Sequence, residues 1–158
     1  MADNARAGNV AFDTVFTDLA RAETRLYNAV AERVKAEAGV AAGHFEALRY
    51  VRDHPDARVA DLASAFAIGV GTTSKIADRL EEKGWLERRP NPANRRSSLL
   101  ALTPAGESVV SRAEPAWQAA IQQILGSAIT PEQLTALSLT LSALRSDLER
   151  RHLGLPTG

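Results

Sequence analysis

The sequence predicts a mainly α fold carrying one small β-hairpin, and three observations predict it. Apolar residues recur three or four apart over most of the 158 positions. Glycines and prolines interrupt that pattern at helix-length intervals. Two short strand-like runs, Trp85–Arg89 and Ser98–Leu102, flank a turn segment rich in proline and asparagine.

Taken in order, Phe12, Val15, Phe16, Leu19, Leu26, Val30 and Val34 make one apolar stripe, which predicts a first helix over 12–38 stopped by Gly39. Residues 1–11 are expected to be a flexible tail. Phe45, Ala47, Leu48 and Val51 mark a second helix that ends near His54, because Pro55 disfavours a helical residue before it. A third helix over 60–67 is expected to bury Leu62, Ala63 and Phe66. A fourth starts after Gly69 and runs to Lys83, with Gly84 as its stop and Thr73, Ile76, Ala77 and Leu80 as its inner stripe. Thr103 with Pro104, and Thr130 with Pro131, pair a cap with a proline suited to the first helical position, so each opens a helix. Pro115 is expected to kink or break the fifth helix. In the sixth, Leu134, Leu137, Leu141, Leu144 and Leu148 form a heptad-like seam about two heptads long, too short to specify a coiled coil by itself and compatible with ordinary core.

The third and fourth helices, the tight turn between them and the hairpin that follows make a winged helix-turn-helix lobe over 44–103. Such a lobe can place one helix in a DNA major groove with a basic finger beside it. On the fourth helix the inner stripe leaves Gly71, Thr72, Ser74, Lys75, Asp78 and Arg79 on or near the outer side. Alone, such a face reads as solvated surface; the adjoining hairpin turns it into a candidate groove-reading face. Thr72, Ser74 and Lys75 are then placed near base edges and Arg79 near phosphate, with Gly71 also among the candidate DNA-binding positions. At the hairpin tip Asn94, Arg95 and Arg96 are candidates for minor-groove or phosphate contact, since a narrow minor groove attracts guanidinium groups. Charge supports this only locally. Lysine and arginine equal aspartate and glutamate at 19 each, giving a net charge of zero, whereas Trp85–Ser98 holds four arginines against one glutamate.

The first helix (12–38) and the segment 104–153 have no evident place to pack inside such a lobe. Both are expected to be dimerisation helices that pair with a second copy, within a single domain spanning 1–158. The absence of cysteine excludes disulfides, thiolate metal sites and thiol-based sensing. His44, His54 and His152 are scattered and form no ligand spacing, so no metal is expected, and no cofactor. The chain shows no nucleophile elbow, P-loop or dinucleotide fingerprint, so no catalytic residue and no enzymatic activity are expected. Neither a signal peptide nor a membrane span is predicted, which leaves a cytoplasmic location as the default expectation.

The string DRLEEKGWLERRPNPANRRSSLLALTPAGE resembles the MarR family of winged-helix regulators. Asp78, Arg79, Leu80, Gly84, Pro92, Arg95, Arg96, Leu102, Thr103 and Gly106 stand at that family's expected places; Asn94 replaces its usual aspartate. In the family that carboxylate is thought to brace the wing arginine, so a neutral amide is expected to hold Arg96 less firmly. The resemblance implies a homodimer that binds a palindromic operator in double-stranded DNA. It also implies release, as of a repressor, by a small aromatic or phenolic ligand held between the dimerisation helices and the lobe. Tyr27 and His44 are the residues placed to touch that ligand. Two other readings stay open at this point: a winged-helix protein-interaction module that binds no DNA, and a DNA-binding protein without an effector.

Overall fold

The computed structural model describes residues 2–156. Six helices and one antiparallel hairpin follow in the order α1 (Ala2–Ala38), α2 (Ala42–Asp53), α3 (Val59–Phe66), α4 (Val70–Glu82), β1 (Leu86–Pro90), β2 (Ser98–Leu102), α5 (Pro104–Ala128) and α6 (Pro131–Arg150). Helix α1 reaches back to Ala2, so residues 2–11, expected as a flexible tail, continue the helix. The stretch holds four alanines and no proline, which lets a helix nucleated further on propagate through it.

The stop signals act through backbone geometry. Gly84 adopts φ +69°, a left-handed conformation that a side chain disfavours, and its N–H bonds the Glu81 carbonyl at 2.8 Å. Thr103 Oγ1 accepts the Gly106 N–H at 3.1 Å, and Thr130 forms a reciprocal capping box with Gln133. Pro115 neither breaks nor ends its helix, because α5 runs without interruption to Ala128. The flanking turns, packed on α1 and α2, hold the backbone there without the missing N–H.

The core sits where α2, α4, the hairpin and α5 meet the second half of α1. Phe45, Leu48, Leu62, Leu80, Leu86, Leu100, Val30, Val34 and Val110 are all fully buried there. Trp117 closes one end, its ring 5.3 Å from Phe45 and 6.4 Å from Tyr27. Arg52 on α2 holds Glu114 on α5 through two hydrogen bonds of 2.8 and 3.0 Å. Strand β2 is tied to the α2–α3 turn, where Leu100 N–H donates to the Ala57 carbonyl at 2.7 Å.

Among the described residues, apolar surface on α1 and on α6 stays outside this core. Phe12 and Phe16 on α1 are 78% and 71% exposed, and the five leucines of the α6 seam are each 37–44% exposed. No α6 residue is buried, so the seam is not ordinary core of this chain. Phe66, expected inside, is also partly exposed at the end of α3, because Ala67 turns the chain in a left-handed conformation (φ +50°) right after it.

Candidate nucleic-acid interface

Helix α4 presents the face the apolar pattern requires. Thr73, Ala77 and Leu80 are fully buried, and Thr73 Oγ1 donates back to the Gly69 carbonyl at 3.0 Å. On the other side Gly71, Thr72, Lys75, Asp78 and Arg79 are exposed, while Ser74 and Ile76 are half-buried. Gly69 caps the helix without a side-chain bond, so the first turn of α4 keeps backbone N–H groups unclaimed by a cap. That end suits an anionic partner.

The hairpin register pairs Leu86 with Leu102, Arg88 with Leu100 and Pro90 with Ser98. Its tip is built by two asparagines in succession. Asn91, nearly buried, accepts the Ala93 N–H at 3.0 Å and donates from its amide to Ser97 Oγ at 2.9 Å. Asn94 accepts the Arg96 N–H at 3.0 Å, and its own carbonyl accepts from Ser97. Asn94 therefore shapes the turn through the Arg96 backbone and offers no charge to the Arg96 guanidinium.

The four hairpin arginines divide into two pairs. Arg88 reaches across to α4, meeting Asp78 at 2.5 Å and Glu81 at 3.3 Å, and Arg89 pairs with Glu87 on its own strand. This corrects the reading of a four-arginine patch: two of the four are matched to carboxylates. Pairing between α4 and β1 has no signature in residue spacing, which is why the sequence overstates the basic footprint. Arg95 and Arg96 are exposed at the tip, and among the described residues no carboxylate pairs with them or with Lys75 and Arg79. Cations without a carboxylate partner thus lie on the outer face of α4 and at the wing tip, and Lys83 at the end of α4 sits over the Trp85 ring at 5.0 Å.

The two candidate ligand residues go to different places. Tyr27 lines a groove of about 520 Å³ between α1, α2, α3 and the start of α4, together with Glu23, Glu46, Leu62, Phe66, Ile68, Thr72 and Ile76. Its hydroxyl donates to Glu46 Oε2 at 2.8 Å, and burial, with Glu46 and Glu23 nearby, keeps it protonated far above the usual tyrosine range. His44 does not line that groove. Partial burial, then the positive charges of Lys83, Arg79 and Lys35, hold its imidazole below the usual value. Neighbouring positions on α2 point different ways, so Gly43 borders the groove while His44 lies towards the α4 C-terminus. Sequence reasoning missed Glu23 and Glu46. Glu23 stands one helical turn before Tyr27, a spacing that places both on one face; nothing in the sequence announces Glu46.

Comparison with known proteins agrees with the fold. The sequence model of the MarR family matches residues 41–98, from the start of α2 to the start of β2. The multiple antibiotic resistance protein MarR of Salmonella typhimurium is 29% identical over 84 residues, which is 53% of this chain and 58% of the Salmonella protein. The chain therefore aligns with less than two thirds of that relative's length. The crystal structure of Sco3205, a MarR family transcriptional regulator from Streptomyces coelicolor, in complex with DNA superposes with a TM-score of 0.80 at 25% identity, covering 91% of both chains. BpsR of Bordetella bronchiseptica, described by the regulation of its DNA binding by 6-hydroxynicotinic acid, superposes with a TM-score of 0.74 at 26% identity, over 84% of this chain and 98% of BpsR. Residues 41–98 thus carry the MarR family match, and the chain shares the fold of these MarR family and related structures.

Proposed function

We propose that the chain is a dimeric transcriptional regulator that represses by occupying palindromic operator DNA and lets go when a small molecule with an aromatic or other apolar body binds. The observation that carries the DNA reading is the division of charge. Asp78, Glu81 and Glu87 are matched by Arg88 and Arg89, whereas among the described residues Lys75, Arg79, Arg95 and Arg96 have no carboxylate partner on the α4 face and wing tip. Phosphate contacts from such cations supply affinity, and side chains such as Thr72, Ser74 and Lys75 supply base discrimination of about 1 to 3 kcal/mol for a good bidentate pair. The DNA complex of the Streptomyces relative supports the same reading.

Dimerisation is supported by the uncovered apolar surfaces of Phe12 and Phe16 and of the α6 leucines, at the two ends of the chain. An isologous contact buries both at once and carries two copies of α4 towards successive major-groove turns. Ligand release is supported by the groove, which reaches the first turn of α4 at Thr72 and Thr73, and by the regulation described for BpsR. A ligand shifts the balance only if it favours the released arrangement, and a site in contact with both α1 and α4 is placed to make that distinction.

A gel-shift titration on the DNA upstream of the protein's own gene tests the reading. The expected result is a retarded band that weakens steeply as salt rises. A band of equal strength on unrelated duplexes, or none, would overturn it.

A further inference from the structure

We infer that the groove between α1, α2 and α4 takes an organic cation, an amine or quaternary ammonium with an apolar body, and not an aromatic acid. The inference rests on the small-molecule reading above and assigns its ligand class. Two carboxylates, Glu23 and Glu46, line the groove beside Tyr27, and none of its lining residues is a lysine, arginine or histidine. Neither glutamate has a cationic partner among the described residues: Glu46 accepts the Tyr27 hydroxyl, and Glu23 accepts the Thr24 hydroxyl at 3.2 Å. The Tyr27 hydroxyl is held protonated, so it adds no charge of its own. An anion entering here meets two like charges and no counter-charge; a cation meets both carboxylates.

The rest of the lining is apolar. Leu62, Phe66, Ile68 and Ile76 form one wall, and Phe66 is partly exposed. A partly exposed aromatic ring lining the same groove as two carboxylates is an environment that attracts an ammonium group through its π face as well as through charge. The volume of about 520 Å³ lies within the range of sites that hold compact organic molecules. Thr72 and Thr73 of α4 complete the wall, so an occupant touches the proposed DNA-reading helix directly.

Calorimetric titration of the full chain with benzyltriethylammonium and, separately, with benzoate tests the assignment. The expected result is saturable binding of the cation, no binding of benzoate, and a loss on the order of tenfold or more in cation affinity in the Glu23→Gln/Glu46→Gln variant. Glutamine keeps an acceptor for the Tyr27 hydroxyl, and an unchanged thermal midpoint confirms that the variant is folded. Cation binding of equal strength in that variant, or no cation binding, overturns the inference. Benzoate binding without cation binding overturns the ligand class and leaves the small-molecule reading standing. Cation binding that leaves DNA affinity unchanged supports the site and overturns release by this ligand.

Discussion

Gly106 lies so close to the backbone of Trp85 that a Cβ on it would fall 1.9 Å from the Trp85 carbonyl oxygen. The contact joins the first turn of α5 to the start of the hairpin. Thr103 reinforces it: its N–H donates to the same Trp85 carbonyl at 3.2 Å, and its Oγ1 donates to the Gly84 carbonyl at 2.5 Å while accepting the Gly106 N–H. The wing base and the helix that follows it are thereby locked at one point.

Gly106→Ala is expected to destabilise the chain by about 3 kcal/mol, because the clash is with backbone that cannot rotate away. Thr103→Val removes a helix cap and a second hydrogen bond, and should cost about 1 to 2 kcal/mol. Chemical denaturation monitored by circular dichroism measures both. A Gly106→Ala variant as stable as the parent would contradict the close approach.

Arg96→Ala is expected to weaken DNA binding several-fold on most sequences alike and to flatten the salt dependence by roughly one released counterion per wing. Arg88→Ala should also weaken binding, although Arg88 faces α4, because its loss frees Asp78 and Glu81 to repel phosphate. Fluorescence anisotropy at several salt concentrations separates the two effects. Affinity untouched by either change would remove the wing from the account.

Leu137→Lys/Leu141→Lys places charge on the exposed α6 seam without altering the core of the single chain. Sedimentation should show the parent at twice the chain mass and the variant shifted to the single chain, with helical content retained in both. A parent that sediments as one chain at micromolar concentration would refute pairing through this surface.

The fold was legible where the signal is local. Thr103 with Pro104, Thr130 with Pro131, and Gly84 each mark an end that the structure keeps within a residue. The inner stripe of α4 was nearly as plain: of Thr73, Ile76, Ala77 and Leu80, at helical spacing, all but the half-buried Ile76 are fully buried. What spacing could not show depends on partners distant in sequence. Arg88 finds Asp78 and Glu81 across the gap between helix and strand, Glu46 finds Tyr27 across two helices, and Pro115 is tolerated because α5 is packed on both sides of it. His44 illustrates the same limit. Its imidazole is partly buried and feels Lys83, Arg79 and Lys35, charges distant from it in sequence or on another helix.

His44 also carries a pH dependence. Its imidazole is held below the ordinary value by burial and then by Lys83, Arg79 and Lys35, so between the two values the unfolded chain binds a proton that the folded chain does not. Stability should therefore fall as pH drops through the ordinary imidazole range towards the depressed value, and be fully present above that range. His44→Gln should flatten the slope in this window. Denaturation midpoints at neutral and mildly acidic pH, compared for parent and variant, decide it; an identical slope in both would assign the dependence elsewhere.

The most direct measurement of the central claim is an anisotropy titration of a labelled duplex whose two half-sites lie about one helical turn apart, about 10 base pairs. Parent protein should bind as two chains per duplex, lose affinity steeply with salt, and lose most of it when Lys75 and Arg79, or Arg95 and Arg96, are changed to alanine. Undiminished binding by both double variants would contradict the assignment of α4 and the wing to DNA.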